Sequence, residues 1–187
     1  MKLRIFGLMI IFVFCFGMLA VHGEEPKELK KGVSLDLKYE LLCEMVADLG
    51  VNLELGTTPY GTRIIAPVLK GAIKLIGEKI NAESLLPSGD WILVRNDGVM
   101  EIDVRLALKT NEGDLIYMNY KGIIKIPPAV GKRMQNGENV EASEYYFRST
   151  PRFETASEKY KWLNDVICVG VGMLGAKQVK YKIYQIL

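Results

Sequence analysis

The fold turns on residues 91–126. They read Trp91-Ile-Leu-Val-Arg95, Asn96-Asp-Gly98, Val99-Met-Glu-Ile-Asp-Val-Arg-Leu-Ala-Leu-Lys-Thr110, Asn111-Glu-Gly-Asp114 and Leu115-Ile-Tyr-Met-Asn-Tyr-Lys-Gly-Ile-Ile-Lys-Ile126. Three β-rich runs are separated by two short connections. The Asn/Asp-Gly pairs in those connections accept the positive φ that hairpin turns require. In the middle run Met100, Ile102, Val104, Leu106 and Leu108 alternate with Glu101, Asp103, Arg105, Ala107 and Lys109. Period two is the strand period. The centre of the chain is therefore expected to be an antiparallel meander, ended by Pro127-Pro128.

The flanks extend this pattern. Upstream, Leu35–Ala47 predicts a long strand, Thr62–Val68 a short one, and 71–86 two short strands about Gly77. Residues 50–61, rich in Gly, Pro and Thr, predict a loop. Downstream, Ala129–Glu141 is a helix or loop candidate and Glu144–Phe153 a strand bent at Pro151. Ser157–Leu163 predicts one helical turn, and Val166–Val171 with Gln178–Ile186 a final strand pair. The glycines at 170, 172 and 175 lack the context of a phosphate loop and are read as bends. Many strands with little helix in residues 35–187 imply an all-β sandwich or barrel. Long strands joined by tight turns favour a single antiparallel β-barrel, since closure removes exposed edges.

The first residues have the pattern of a secretion signal. Lys2 and Arg4 precede an uncharged run from Ile5 to Ala20, and Val21-His22-Gly23 suits a cleavage site. Residues 1–23 are read as a signal peptide and 24–34 as a flexible leader, which places the mature protein outside the cytoplasm. The alternative is an uncleaved membrane anchor, although the run falls short of the roughly 20 residues that span a bilayer comfortably. After cleavage no stable membrane insertion is expected. Loss of Lys2 and Arg4 brings the 24 basic residues level with the 22 acidic ones. That balance does not suit nucleic acid as a partner. Cleavage would also remove His22, the only histidine. A Ser-His-Asp triad, a Cys-His nucleophile and a His-bearing metal site are then excluded. No metal or cofactor is expected. Cys43 and Cys168, in apolar runs two strands apart, are read as buried free thiols.

Chemistry concentrates in Glu144-Tyr-Tyr-Phe-Arg-Ser-Thr-Pro-Arg-Phe-Glu-Thr155, followed by Tyr160-Lys-Trp-Leu-Asn164. Aromatics mixed with arginines and glutamates suit the wall of a concave site, apolar for shape and polar for orientation. Alternation sorts Tyr146 and Arg148 onto one face, as it does Asp103 with Arg105 and Tyr117 with Asn119. It does not say which face is inside. With the apolar face inward, Asp103 and Arg105 form an exposed pair worth under about 1 kcal/mol. With the faces inverted, the polar residues line a lumen and the apolar side packs on a helix or another subunit, as in a homo-oligomer. Arg63 reads equally as a rim charge or an anion contact. Asp90, after Ser88-Gly89, is most simply a turn residue. Trp91 and Trp162 are more often core than site, and Asn164 more often a backbone cap.

Six motifs in order carry a resemblance. They are Gly61-Thr-Arg-Ile-Ile-Ala-Pro67, Leu86-Pro-Ser-Gly-Asp-Trp91, Val94-Arg-Asn-Asp-Gly98, Asp103-Val-Arg105, Tyr145-Tyr-Phe-Arg-Ser-Thr-Pro-Arg-Phe-Glu-Thr155 and Trp162-Leu-Asn164. Over about Leu35–Ile186 the chain resembles the uncharacterised barrel family called domain of unknown function 3237. The resemblance implies one antiparallel barrel similar to allene oxide cyclase and lipocalin-like barrels, and no established activity. It implies a polar signature at Arg63, Asp90, Trp91, Asp103, Arg105, Tyr146, Arg148, Glu154, Trp162 and Asn164, which favours the polar lumen. Members often carry an arginine near Met173, which this chain lacks.

Three functions follow. In the first, the barrel binds a small organic molecule bearing anionic or oxygen-rich groups. Arg105 and Arg148 clamp it, Trp91, Tyr146 and Trp162 wall it, and Arg63, Asp90, Tyr117, Asn119 and Asn164 complete the site. In the second, a cofactor-free isomerase, cyclase or hydratase uses Asp103 or Glu154 as its base, with Tyr117 or Tyr146 as acid. In the third, the charges are internal ion pairs that hold the barrel.

Overall fold

The computed structural model describes residues 36–48, 50–175 and 178–187. The expected signal peptide (1–23) and leader (24–34) lie outside the described residues. The central run folds as its alternation dictates. Strand β6 (Met100–Thr110) pairs antiparallel with β7 (Leu115–Lys125) over Met100↔Ile124 to Lys109↔Leu115. Around this pair stand β1 (Tyr39–Asp48), β2 (Leu53–Thr58), β3 (Gly61–Pro67), β4 (Ile73–Ile76), β5 (Asn81–Val94), β8 (Tyr146–Ser149), β9 (Arg152–Glu154), β10 (Cys168–Leu174) and β11 (Gln178–Ile186). Helix α1 (Pro128–Gln135) follows β7, opened by the proline pair at its N-terminus.

Eight strands close on themselves as an antiparallel β-barrel, in the order β5-β4-β1-β11-β10-β8-β7-β6 with β6 returning to β5. The remaining strands attach outside that circuit. The β2–β3 hairpin adds to the second half of β5, and β9 pairs with β7. The interior is apolar. Ile102, Val104, Leu106 and Leu108 of β6 join Met118 and Tyr120 of β7, Met45 of β1, Phe147 of β8 and Ile183 of β11 in one buried cluster. Burying such side chains is the main force closing the barrel.

This overturns the polar lumen. The apolar face of β6 points inward. Asp103 and Arg105 sit outside, as do Tyr146 and Arg148, while Tyr145, Phe147 and Ser149 fill the inside of β8. The physical reason is desolvation. Either face could fill the lumen of an eight-stranded barrel, but burying the charged face without partners is costly, whereas burying the apolar face is favourable.

Other elements differ from expectation locally. Residues 53–58, expected as loop, form β2, because the facing β3 supplies its ladder. Its turn needs Gly61, at φ +130, where a Cβ would lie 2.3 Å from the Val94 carbonyl oxygen. Asp90 is not a turn residue. Leu86–Trp91 runs within β5, the register shifting between Leu85 and Gly89. Gly170 and Gly172 are clearances and not bends. A Cβ at Gly172 would meet the Phe147 ring at 2.4 Å, and one at Gly170 would meet Ser149 Oγ at 2.3 Å. Cys43 and Cys168 are free and buried, each opposite β11, at Ile183 and Gln185. Burial pushes their thiols up to about 12 and about 11, the charge of Cys168 adding to the shift of Cys43.

Candidate functional site

Strand β5 serves three neighbours. Its first half pairs with β4 and the end of β6, and its second half with β3 and the start of β6. Where the halves meet, side chains replace backbone in the ladder. Ser88 Oγ accepts the Ala107 N–H at 2.9 Å, and Asp90 Oδ1 accepts the Asp103 N–H at 3.1 Å. The Trp91 carbonyl accepts instead from the Arg63 guanidinium at 2.9 Å. Pairing of β5 with β6 lapses after Asp90↔Val104 and resumes at Leu93↔Glu101. Backbone polar groups must find partners. Here Asp90 and Arg63 supply them, and the motif Leu86–Trp91 reads as a splice in the sheet.

A groove of about 760 Å³ opens over this splice on the outer face. One row of opposed residues crosses it: Arg63↔Leu93, Leu93↔Glu101, Glu101↔Ile123 and Ile123↔Arg148. Trp91, Asp103, Lys121, Tyr146, Thr150 and Val169 complete the walls. Arg63 and Arg148 stand at the two ends of this row, and Glu101 lies between the apolar Leu93 and Ile123. Leu93, Ile123 and Val169 line the groove, with Trp91 and Tyr146 as aromatic flanks.

The charges do not balance. Asp103 is held by Arg105 at 3.2 Å, and Glu101 by Arg95 at 3.1 Å, a guanidinium that Glu101 shares with Asp97. The three cations that line the groove, Arg63, Lys121 and Arg148, have no carboxylate partner among the described residues. Among the described residues Arg63 and Arg148 each give one N–H to a carbonyl, Arg148 to Phe147 at 2.9 Å, and their other N–H groups have no bond. The Arg148 guanidinium stacks over Tyr146 at 5.2 Å, and Arg105 over Trp91 at 5.0 Å. Stacking holds each planar head in place while its edge remains able to donate.

Beneath the groove the Asp90 carboxyl is pushed up to about 7, chiefly by burial. The Asp103 N–H opposes this shift and the Asp103 charge adds to it. Two tyrosines of the interior, Tyr120 and Tyr181, stand near it with rings 5.8 Å apart. Burial raises the Tyr120 and Tyr181 phenols, and the Asp90 charge adds to both shifts.

The structure brings Arg63, Trp91, Asp103, Tyr146 and Arg148 together in one groove, with Arg105 on its edge against Trp91 and Asp90 below. The other expected residues fall elsewhere. Tyr117 lies on the outer face opposite Ala107 and Glu154, and Asn119 opposite Arg105 and Arg152. Glu154 is exposed and does not line the groove. Trp162 half-buries on the barrel, 5.9 Å from the Lys79 ammonium. Asn164 caps backbone, exchanging two hydrogen bonds with Thr155 at 2.8 and 3.0 Å. Lys121, Glu101, Leu93, Ile123 and Val169 escaped the sequence reading. Lys121 shares a strand face with Asn119, and only its register opposite Asp103 assigns it to the groove. Among the described residues no group of three His, Cys, Asp or Glu side chains is placed to hold a metal.

Comparison with known proteins places this geometry. Residues 37–186 match the family model described as Protein of unknown function (DUF3237). A UPF0311 protein of Rhodopseudomonas palustris is 31% identical over 155 residues, which cover 82% of this chain and 98% of that protein. The crystal structure of a conserved protein of unknown function from the same species superposes with a TM-score of 0.75 at 28% identity, covering 82% of this chain and 100% of that one. A β-barrel-like protein from Acinetobacter baumannii gives 0.70 at 30% identity, covering 84% and 100%.

Proposed function

Because the chain belongs to the family described as Protein of unknown function (DUF3237), whose name states no activity, we propose a function from the groove itself: it binds a small organic anion with a flat, apolar body. The observation that carries this reading is the charge imbalance. Arg63, Lys121 and Arg148 line one groove with no ion-pair partner among the described residues, while its two carboxylates are engaged, Asp103 by Arg105 and Glu101 by the Arg95 it shares with Asp97. An anion entering there meets free, partly oriented guanidinium edges, and charge-assisted bonds to them are the strong class. Leu93, Ile123, Val169 and the faces of Trp91 and Tyr146 suit a ring or a conjugated chain. The site is an outer groove and not a lumen. Arg148 takes the clamping role together with Lys121 and Arg63, and Arg105 supports the Trp91 wall.

Calorimetric or NMR titration with a panel of aromatic carboxylates tests this. Arg148→Ala should weaken binding roughly ten- to a hundredfold, the loss of one charge-assisted bond of about 1.5–3 kcal/mol. Its cost to stability should stay under about 1 kcal/mol, since it strands no carboxylate. Failure of every aromatic anion to bind the intact protein would remove the reading.

A further inference from the structure

We infer that Asp90 couples the anion affinity of the groove to pH, acting from beneath it as a regulatory carboxyl. The inference rests on the reading of the groove as an anion site. Its basis is geometric. Asp90 is on the inner face of β5, yet its Oδ1 holds the N–H of Asp103, whose side chain lines the groove on the other face. Its neighbour Trp91 forms a groove wall, and the carbonyl of Trp91 is bound by the groove cation Arg63. One carboxyl thus sits behind the point where the β5–β6 ladder parts, one residue from the ligand space.

Among the described residues no ion pair joins Asp90 to a cation. Its partner on β3 is Ala66, and its partner on β6 is Val104. Tyr120 approaches from β7 and Tyr181 from β11, both buried. On β6 the Asp103 carboxylate is engaged by Arg105, outside the barrel. Arg63 is committed through one N–H to Trp91. A proton on Asp90 is therefore the cheapest neutralisation available. Burial supports this by holding the carboxyl up to about 7. Above that pH the ionised carboxyl adds negative charge behind the groove and repels the bound anion. Below it the repulsion is absent. By linkage the bound anion raises the Asp90 pKa.

The probe is naphthalene-2-sulfonate, which stays ionised throughout and removes ligand titration as a cause. Its affinity for the wild-type protein should fall roughly three- to tenfold between about pH 5.5 and 8.5, as expected for one charge acting across a strand at intermediate dielectric. Asp90→Asn keeps an oxygen for the Asp103 N–H and should bind with the acid-side affinity at every pH. In the wild type, carbon-13 NMR of the Asp90 carboxyl should show its midpoint rising when the sulfonate is bound, a readout independent of the variant. A pH step that persists in Asp90→Asn, or an Asp90 midpoint indifferent to ligand, overturns the coupling and leaves the groove reading standing. No binding at any pH removes the anion site, and the coupling with it.

Discussion

Leu106, Leu108, Met118 and Ile183 of the barrel interior are sealed at 0% exposure, whereas the groove on the other side of the same sheet keeps Lys121 exposed and Arg148 half-exposed. Both regions are built from β6, β7 and β8, and adjacent residues of one strand belong to different regions. Inside, most side chains are apolar and pack by contact, and closure is driven by apolar area. Outside, at the β5–β6 splice, side chains satisfy backbone groups, and charge is left over. The difference teaches that polar motif residues near a groove need not all touch a ligand. Asp90 and Ser88 shape the sheet that holds Trp91 and Asp103 in place.

The comparison breaks most visibly at the core. Leu108 is fully buried and lies outside the groove, so Leu108→Ala should cost about 2–5 kcal/mol in denaturant unfolding. Anion affinity of the folded fraction should be unchanged. A loss of affinity as large as that of Arg148→Ala would show that the two regions are not independent.

A middle-sized effect comes from Asp90. Its folded pKa, about 7, lies above the ordinary carboxylate value. The protonated form therefore favours the folded state. That stabilisation is complete below about pH 4 and is lost as pH rises through about 7. Asp90→Asn should remove from the stability profile a decline on the order of 1–3 kcal/mol over this window. Urea melts at pH 5 and pH 8 measure it, and a wild-type profile that rises with pH across the window would contradict the assignment.

The smallest effect is expected for Asp103 and Arg105. Their pair is 3.2 Å apart with side chains 34% and 49% exposed. A double-mutant cycle should return a coupling of under about 1 kcal/mol. A coupling above about 3 kcal/mol would restore the internal ion-pair reading for this part of the motif.

How much of this was legible varies along the chain. The β6–β7 hairpin, the long β1, β3 and the β10–β11 pair all follow from alternation and turn residues, because these are local signals. The strand β2 did not, since its six residues pair with β3 across a turn whose glycine alone is diagnostic. Of the site, Arg63, Trp91, Asp103, Tyr146 and Arg148 were visible as residue types that bind, yet Lys121 was not, because its place depends on register between strands. Tyr117, Asn119, Glu154, Trp162 and Asn164 share the same motifs and fall outside the groove, since neighbours in sequence alternate between faces or continue into the next element.

The sequence by itself determined that this is an antiparallel all-β chain, where its central strands lie, and which side chains share a face. Those properties reside in periods of two and in turns of a few residues. Which face turned inward, and which groove charges lack an ion-pair partner among the described residues, only the tertiary structure decided. Both depend on closure of eight strands around a lumen filled mainly by the apolar set, and on a splice in β5 that no local pattern announces.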